Sequence, residues 1–163
     1  MIAAVDVDYR DDRAVAACLT FEAWSDGQAN RAWTRALPAA SEYTPGAFYT
    51  RELPCLLAVL EPCAAELSAV IVDGFVWLGP DRPGLGARLF EALGGRCPVV
   101  GVAKTSFQGA PAQAVLRGGS KRPLFVTAIG MATEAAAEQV AAMHGAHRVP
   151  TLLKRVDRLC RDG

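Results

Sequence analysis

Short apolar runs constrain this chain more than any other feature. SAVIVD at 68–73 and PVVGVA at 98–103 are apolar at odd and even positions alike. That is the pattern of a strand buried on both faces. LFVTAIG at 124–130 reads as a further strand. The segments around these runs carry helical signals. Residues 85–94 and 133–143 suit helices, with Thr133 as the N-cap of the second. Another helix begins near Glu52, takes Pro54 into its first turn, and stops near Pro62. In the last helix Leu152, Leu153, Val156, Leu159 and Cys160 share one face, and Lys154, Arg155, Arg158 and Arg161 lie mostly elsewhere.

The N-terminal part has a different rhythm. Residues 2–8 alternate around Val5 and Val7, and residues 14–22 read as a second strand. The short charged turn from Arg10 to Arg13 joins them as an antiparallel hairpin. Ser25, Asp26 and Gly27 make another turn, and residues 30–37 a third strand. Residues 38–51 are irregular, residues 74–84 are rich in Gly and Pro, and residues 107–122 read as a loop or ribbon. Three antiparallel strands followed by helix–strand alternation predict an α/β fold. It is a mixed sheet, antiparallel and then parallel, with helices on both faces. Among such layouts, one resembling ribonuclease H places the first strand beside the fourth.

The bulk numbers agree with one domain spanning 1–163. A chain of 163 residues that is 52% hydrophobic buries a real core and is not disordered. Lys plus Arg equals Asp plus Glu, at 17 each, which excludes a coat for nucleic acid driven by bulk charge. A local basic track remains open. Cys18, Cys55, Cys63, Cys97 and Cys160 are odd in number and form no CxxC pair, so free buried thiols are expected. No apolar run is long enough to cross a membrane. MIAAVDVDYRDD lacks the form of a signal peptide, which predicts a cytoplasmic protein; a monomer is the separate expectation.

Three acids stand where chemistry would need them. Asp6 lies inside the first strand, Asp73 ends an apolar strand before Gly74, and Glu52 starts a helix. An unpaired charged acid within an apolar strand costs several kcal/mol, and a hard cation is one remedy. Magnesium takes oxygen ligands, commonly one or two carboxylates with water and phosphate. With the first and fourth strands adjacent, Asp6 and Asp73 can share one ion. Glu52 would complete the site directly, through water, or through a second ion. The plainer alternative pairs Asp6 with an arginine, and Asp8 on the same face is then a solvated neighbour. Lys104 after VVGVA can neutralise charge on a phosphate or leaving oxygen, or simply end its strand in solvent. Arg117, Lys121 and Arg122 around Gly118, Gly119 and Ser120 suggest a phosphate-gripping loop.

VDVDY at 5–9, EYTPG at 42–46, RE at 51–52, VDG at 72–74, GVAKT at 101–105, RPLFVT at 122–127 and HRVPTLLKRVDRLCR at 147–161 occur in one order. In that order the chain resembles endonuclease V, and the likeness spans essentially its whole length. The resemblance implies a ribonuclease H-like fold and hydrolysis of a phosphodiester near a deaminated base, typically inosine, in DNA or RNA. It implies Mg2+, or Mn2+, at Asp6 and Asp73 with Glu52 in support, and Lys104 near the scissile phosphate. Tyr43 would be the wedge that fills the stack when a base is extracted. Gly46 and Gly74 would line the base pocket, where a missing Cβ lets backbone approach the base.

The chain also departs from the family. Met131 stands where members commonly carry a His after the strand matching LFVT, and a thioether moves no proton. GFVWLGPDRPG has Gly79 and no His where a segment like HPRR is usual, and the chain begins almost at its first strand. His144 and His147, the two histidines present, read as ordinary partly exposed residues. Loss of a general acid or base slows a reaction ~10²–10⁴-fold. The alternative expectation is therefore a weakened or inactive member that binds nucleic acid or a protein partner.

Overall fold

The computed structural model describes residues 1–38 and 49–163. In chain order these form β1 (Ile2–Arg10), β2 (Arg13–Phe21), β3 (Arg31–Pro38), α1 (Tyr49–Leu60), β4 (Ala69–Asp73), β5 (Trp77–Gly79) and β6 (Arg82–Pro83). There follow α2 (Leu85–Ala92), β7 (Val99–Ala103), β8 (Gln113–Val115), β9 (Leu124–Ile129), α3 (Thr133–Ala142) and α4 (Thr151–Asp162). Among the described residues, seven strands make one sheet in the order β3-β2-β1-β4-β7-β9-β8, and β5 and β6 pair separately.

The centre of that sheet is parallel, with β1 beside β4 and β4 beside β7. The first strand thus lies beside the fourth, as expected. The flanks are antiparallel: β1, β2 and β3 on one side, and β7, β9 and β8 on the other. The sequence predicts parallel pairing beyond the third strand, and β9 departs from that by running back along β7. The reason is local. No helix separates β7 from β9, and a parallel return needs a crossover of that kind. Only the short β8 lies between them, inside the segment expected to be a loop or ribbon.

Two apolar layers cover the sheet. Ile2, Ala4, Ile71, Val100 and Val102 face α3 and α4, where they meet Ala136, Val140, Leu152, Val156 and Cys160. Ala3, Val5, Val70 and Val72 face α1 and α2, against Leu56, Val59, Leu60 and Leu89. The runs that read as buried on both faces are so because each has a helix layer above and below. All five cysteines are free and buried. Among the described residues no helix is long and apolar enough to cross a membrane.

Two element boundaries differ from expectation. Helix α1 starts at Tyr49, so Pro54 falls in its second turn, and a 3-10 turn over Glu61–Glu66 takes up Pro62. Helix α3 starts with Ala132 at its N-cap and no side-chain cap, so Thr133 is already inside it.

Candidate active site

Strand periodicity sets the direction of three candidate residues. Asp6 follows Ile2 and Ala4, Asp73 follows Ile71, and Lys104 follows Val100 and Val102 on the α4 side of the sheet. Val5 is paired with Val72, so the next step in register sets Asp6 beside Asp73 at the C-terminal ends of parallel strands. Asp73 is paired with Val102, two residues before Lys104.

Glu52 arrives from the other layer. Helix α1 is fastened to β3 by Trp33, whose Nε1 donates to the Val59 carbonyl at 2.9 Å. Its first turn is fastened to β1 by Arg51, whose guanidinium lies 3.8 Å from the centroid of the Tyr9 ring. Such a stack is worth about 0.5–2 kcal/mol. Glu52 therefore projects from a braced turn near the end of β1.

The acids perturb one another: Asp6 feels Asp73 and Asp157, and Glu52 feels Asp6 and Asp73. Asp6 is pushed up to about 7, first by desolvation, then by Asp73 and Asp157, against the Val7 N–H that donates to its Oδ1 at 2.9 Å. Glu52 is pushed up to about 8 by desolvation and then by Asp6 and Asp73, with Arg51 opposing. Asp73 is exposed by area, yet enough protein surrounds it that desolvation also raises it; Lys104 opposes and Asp157 adds. Among the described residues none of Asp6, Glu52 and Asp73 is held in an ion pair. The alternative of an arginine clasp on Asp6 does not occur. Asp8 does take such a partner, Arg10, at 3.1 Å.

Asp157 is the residue that sequence reasoning missed. It lies on α4, directly across from β1. One of its carboxylate oxygens, one from Asp6 and the Cys160 sulfur all lie within 4.8 Å of one another. Arg161 Nε donates to Asp157 Oδ1 at 3.0 Å. Hydrophobic periodicity carried a partial signal, since Asp157 follows the buried Val156 and precedes the buried Cys160 by one turn. Among Lys154, Arg155 and Arg158 it reads as surface.

Two cavities open on either side of Asp73. One, of about 400 Å³, runs beneath α4 and is lined by Asp6, Asp73, Asp157, Lys104, His147 and Lys154 over a floor of aliphatic side chains. The second, of about 370 Å³, is lined by Glu52, Asp73, Gly74, Phe75, Gly84 and Phe107. The Phe75 and Phe107 rings pair there with centroids 6.1 Å apart. Both cavities have the size of small-molecule sites. The Gly74 loop is held tightly over β7. Gly74 N donates to the Val102 carbonyl at 3.1 Å, and Val76 N donates to Thr127 Oγ1 at 2.9 Å. A Cβ on Gly101 would meet Gly74 O at 2.4 Å, which is why that strand position has no side chain. Gly74 itself takes φ +126°, a conformation that favours glycine.

The remaining candidates divide. Tyr43 and Gly46 lie outside the described residues. Lys121 and Arg122 are exposed. Arg117 departs from the expected phosphate grip. It is buried, and its Nη2 donates to the Met143 and Gly145 carbonyls at 2.9 and 3.0 Å. Gly118 packs against the backbone of Ala146 and His147, so the two loops close over Arg117 and turn it inward. Met131 packs on the apolar layer of α3 and α4. His147 lines the larger cavity, while His144 is engaged with Thr151 Oγ1 at 2.9 Å.

Comparison with known proteins agrees with this layout. The endonuclease V of Streptomyces coelicolor is 30% identical over 184 residues, covering 98% of this chain and 77% of that protein. The crystal structure of the endonuclease V from Streptomyces avermitilis is 28% identical and superposes with a TM-score of 0.79, covering 99% of this chain and 79% of that one. That of Ciona intestinalis endonuclease V, in complex with a 24mer DNA containing an inosine followed by a ribo-adenosine, gives 0.82 at 19% identity. It covers 99% and 84% of the two chains and bears on the fold alone. The Endonuclease V family profile matches residues 1–144, which include β1, Glu52, Asp73 and Lys104. With most of its length matched and a superposable relative of the same family, the chain belongs to the Endonuclease V family and has its ribonuclease H-like fold.

Proposed function

We propose that this chain is a metal-dependent endonuclease that hydrolyses a phosphodiester near inosine in DNA or RNA. The observation that carries this reading is the close approach of Asp157 on α4 to Asp6 on β1, with Asp73 of β4 next to Asp6 in register and Glu52 of α1 repelled by Asp6 and Asp73. Carboxylates crowded in this way hold their protons or take a cation. The donor set fits Mg2+ or Mn2+, because it is rich in hard oxygen. Asp6, Asp73 and Asp157 would hold the ion, with Glu52 beside them. When bound, the ion supplies Lewis acidity, both against the phosphoryl oxygens and to a nucleophilic water.

The other groups act around that point. Lys104 lines the larger cavity with Asp73 and would offset charge on the scissile phosphate or its leaving oxygen. His147 and Lys154 line the same cavity and would hold flanking phosphates. The smaller cavity would receive the extracted base. Gly74 lets backbone reach the base edge, and Phe75 and Phe107 offer ring faces. Tyr43 and Gly46 are assigned to wedge and pocket by the family resemblance alone. The exposed Lys121 and Arg122 would extend the phosphate track. The substrate assignment comes from membership of the Endonuclease V family.

A second reading, binding without cleavage, is favoured by Met131, which sits in the apolar layer and brings no proton-transferring group. One assay separates the two. Matched DNA and RNA strands with and without inosine are incubated with the protein in Mg2+, in Mn2+ and in chelator. Nicking of the inosine strand that needs metal and is abolished in Asp73→Asn is expected. Folded protein that binds the strand and cleaves neither form with either ion overturns the enzyme reading.

A further inference from the structure

The acidic cluster contains one donor that hydrolysis does not use, the thiol of Cys160. It lies on α4 one turn beyond Asp157 and faces β1. Its sulfur and the carboxylate oxygens of Asp6 and Asp157 lie within 4.8 Å of one another. The residue is 1% exposed, and its Sγ–H donates to the Asp157 backbone carbonyl at 3.1 Å. Magnesium has little affinity for sulfur. Zinc-class ions prefer it, with ~2.3 Å bonds to thiolate and ~2.0–2.2 Å bonds to carboxylate. Two carboxylates and one thiolate at this spacing make a mixed O,O,S set, which favours a borderline or soft ion over a hard one.

We propose that Cys160 turns the Asp6–Asp157 site into a trap for thiophilic divalent cations such as Zn2+ and Cd2+, in competition with the hard ion. The inference rests on the metal-site reading above. The ion enters where Asp6 and Asp157 open onto the larger cavity. The Cys160 Sγ turns from the Asp157 carbonyl, the S–metal bond forms, and the thiol proton passes to solvent. No electron moves. Cys160 and Asp157 share α4, so the captured ion is drawn toward that helix and away from Glu52 on α1. Any other buried cysteine would leave the chemistry of the site hard. This one sets its metal selectivity.

The test is titration of the full chain with Cd2+, followed by the ultraviolet sulfur-to-cadmium charge-transfer band, in wild type, Cys160→Ser, Cys160→Ala and Asp6→Asn. Mn2+ binding is followed separately by electron paramagnetic resonance. The first equivalent of Cd2+ should produce the band in wild type, only a large excess of Mn2+ should compete it away, and all three variants should lose it. Zn2+ affinity, measured against a chelating dye, should fall at least about tenfold in both Cys160 variants, and Mn2+ affinity by less. Circular dichroism reports whether each variant is folded, and Cys160→Ala keeps the apolar contact without a polar atom. A first-equivalent band that survives in the Cys160 variants, or a Zn2+ affinity that they leave unchanged, overturns the inference. Mn2+ that binds Asp6→Asn as well as wild type overturns instead the underlying metal-site reading.

Discussion

Asp6→Asn should stabilise the metal-free protein, and the gain should grow as pH rises. In the folded chain the Asp6 carboxyl is pushed from 3.8 to about 7 by desolvation, Asp73 and Asp157. The folded state therefore keeps this proton longer than the unfolded chain does. Its contribution is fully present below the ordinary value of 3.8 and is lost as pH climbs toward 7. A displacement of that size corresponds to about 4 kcal/mol between the two protonation states. Part of it is repulsion shared with Asp73 and Asp157, so the advantage of Asn over Asp should grow by about 2–4 kcal/mol from about pH 4 to about pH 8. Asn still offers the oxygen that accepts from Val7 N–H, so local geometry is kept. Urea unfolding in chelator at the two pH values measures the difference. Saturating Mg2+ should then narrow or close that gap, since an ion at one hundred times its dissociation constant adds about 2.7 kcal/mol to the wild type alone. An Asn variant less stable than wild type at both pH values, or stabilised equally by Mg2+, refutes the idea that Asp6 is an uncompensated acid waiting for a cation.

Gly101→Ala should cost about 1–3 kcal/mol, because its Cβ would stand 2.4 Å from Gly74 O and 2.7 Å from Thr127 Oγ1. An unchanged melting temperature would show that the Gly74 loop is free to leave β7. Arg117→Ala should lower stability by about 1.5–3 kcal/mol, as two bonds from a charged donor are lost, and leave the salt dependence of nucleic-acid binding alone. Lys121→Ala should do the reverse, shifting stability by less than about 0.5 kcal/mol and reducing the salt slope by about one. The opposite pattern in this pair would return Arg117 to the binding surface.

The legible parts of this chain were those whose signal is carried by neighbours in sequence. Val70 to Val72 and Val99 to Val102 read as central strands because helix layers lie on both of their faces. Asp6, Asp73 and Lys104 were visible because each interrupts or ends such a run and keeps its face. Glu52 was visible only as an acid at the start of a helix. Its approach to Asp6 depends on Arg51 stacking over Tyr9, across more than forty positions of chain. The direction of β9 follows from a local fact that strand patterning does not carry, the missing helix before it. Arg117 is not legible because a Gly-rich basic loop has the same sequence signature whether it faces phosphate or folds under. The return of residues 143–147 decides between the two, and nothing in residues 117–122 announces it.

Asp157 shows why the last part of such a site stays hidden until the fold is known. Its place over Asp6 is fixed by residues that do no chemistry. Leu152, Val156 and Cys160 seat α4 on Ile2, Ala4, Ala17 and Leu19. At the far end Arg10, four residues beyond Asp6 on β1, donates to the Cys160 and Gly163 carbonyls at 3.0 and 2.8 Å and also to that of Arg161. A cation at the last carbonyls of a helix satisfies orphan acceptors and favours the dipole. Asp8 holds Arg10 in place at 3.1 Å. One strand therefore supplies an acid to the site through Asp6 and, through Asp8 and Arg10, sets where the acid of α4 lands. Asp8 reads in sequence as a solvated neighbour on the face of Asp6, and in the fold it holds the arginine that positions the fourth carboxylate.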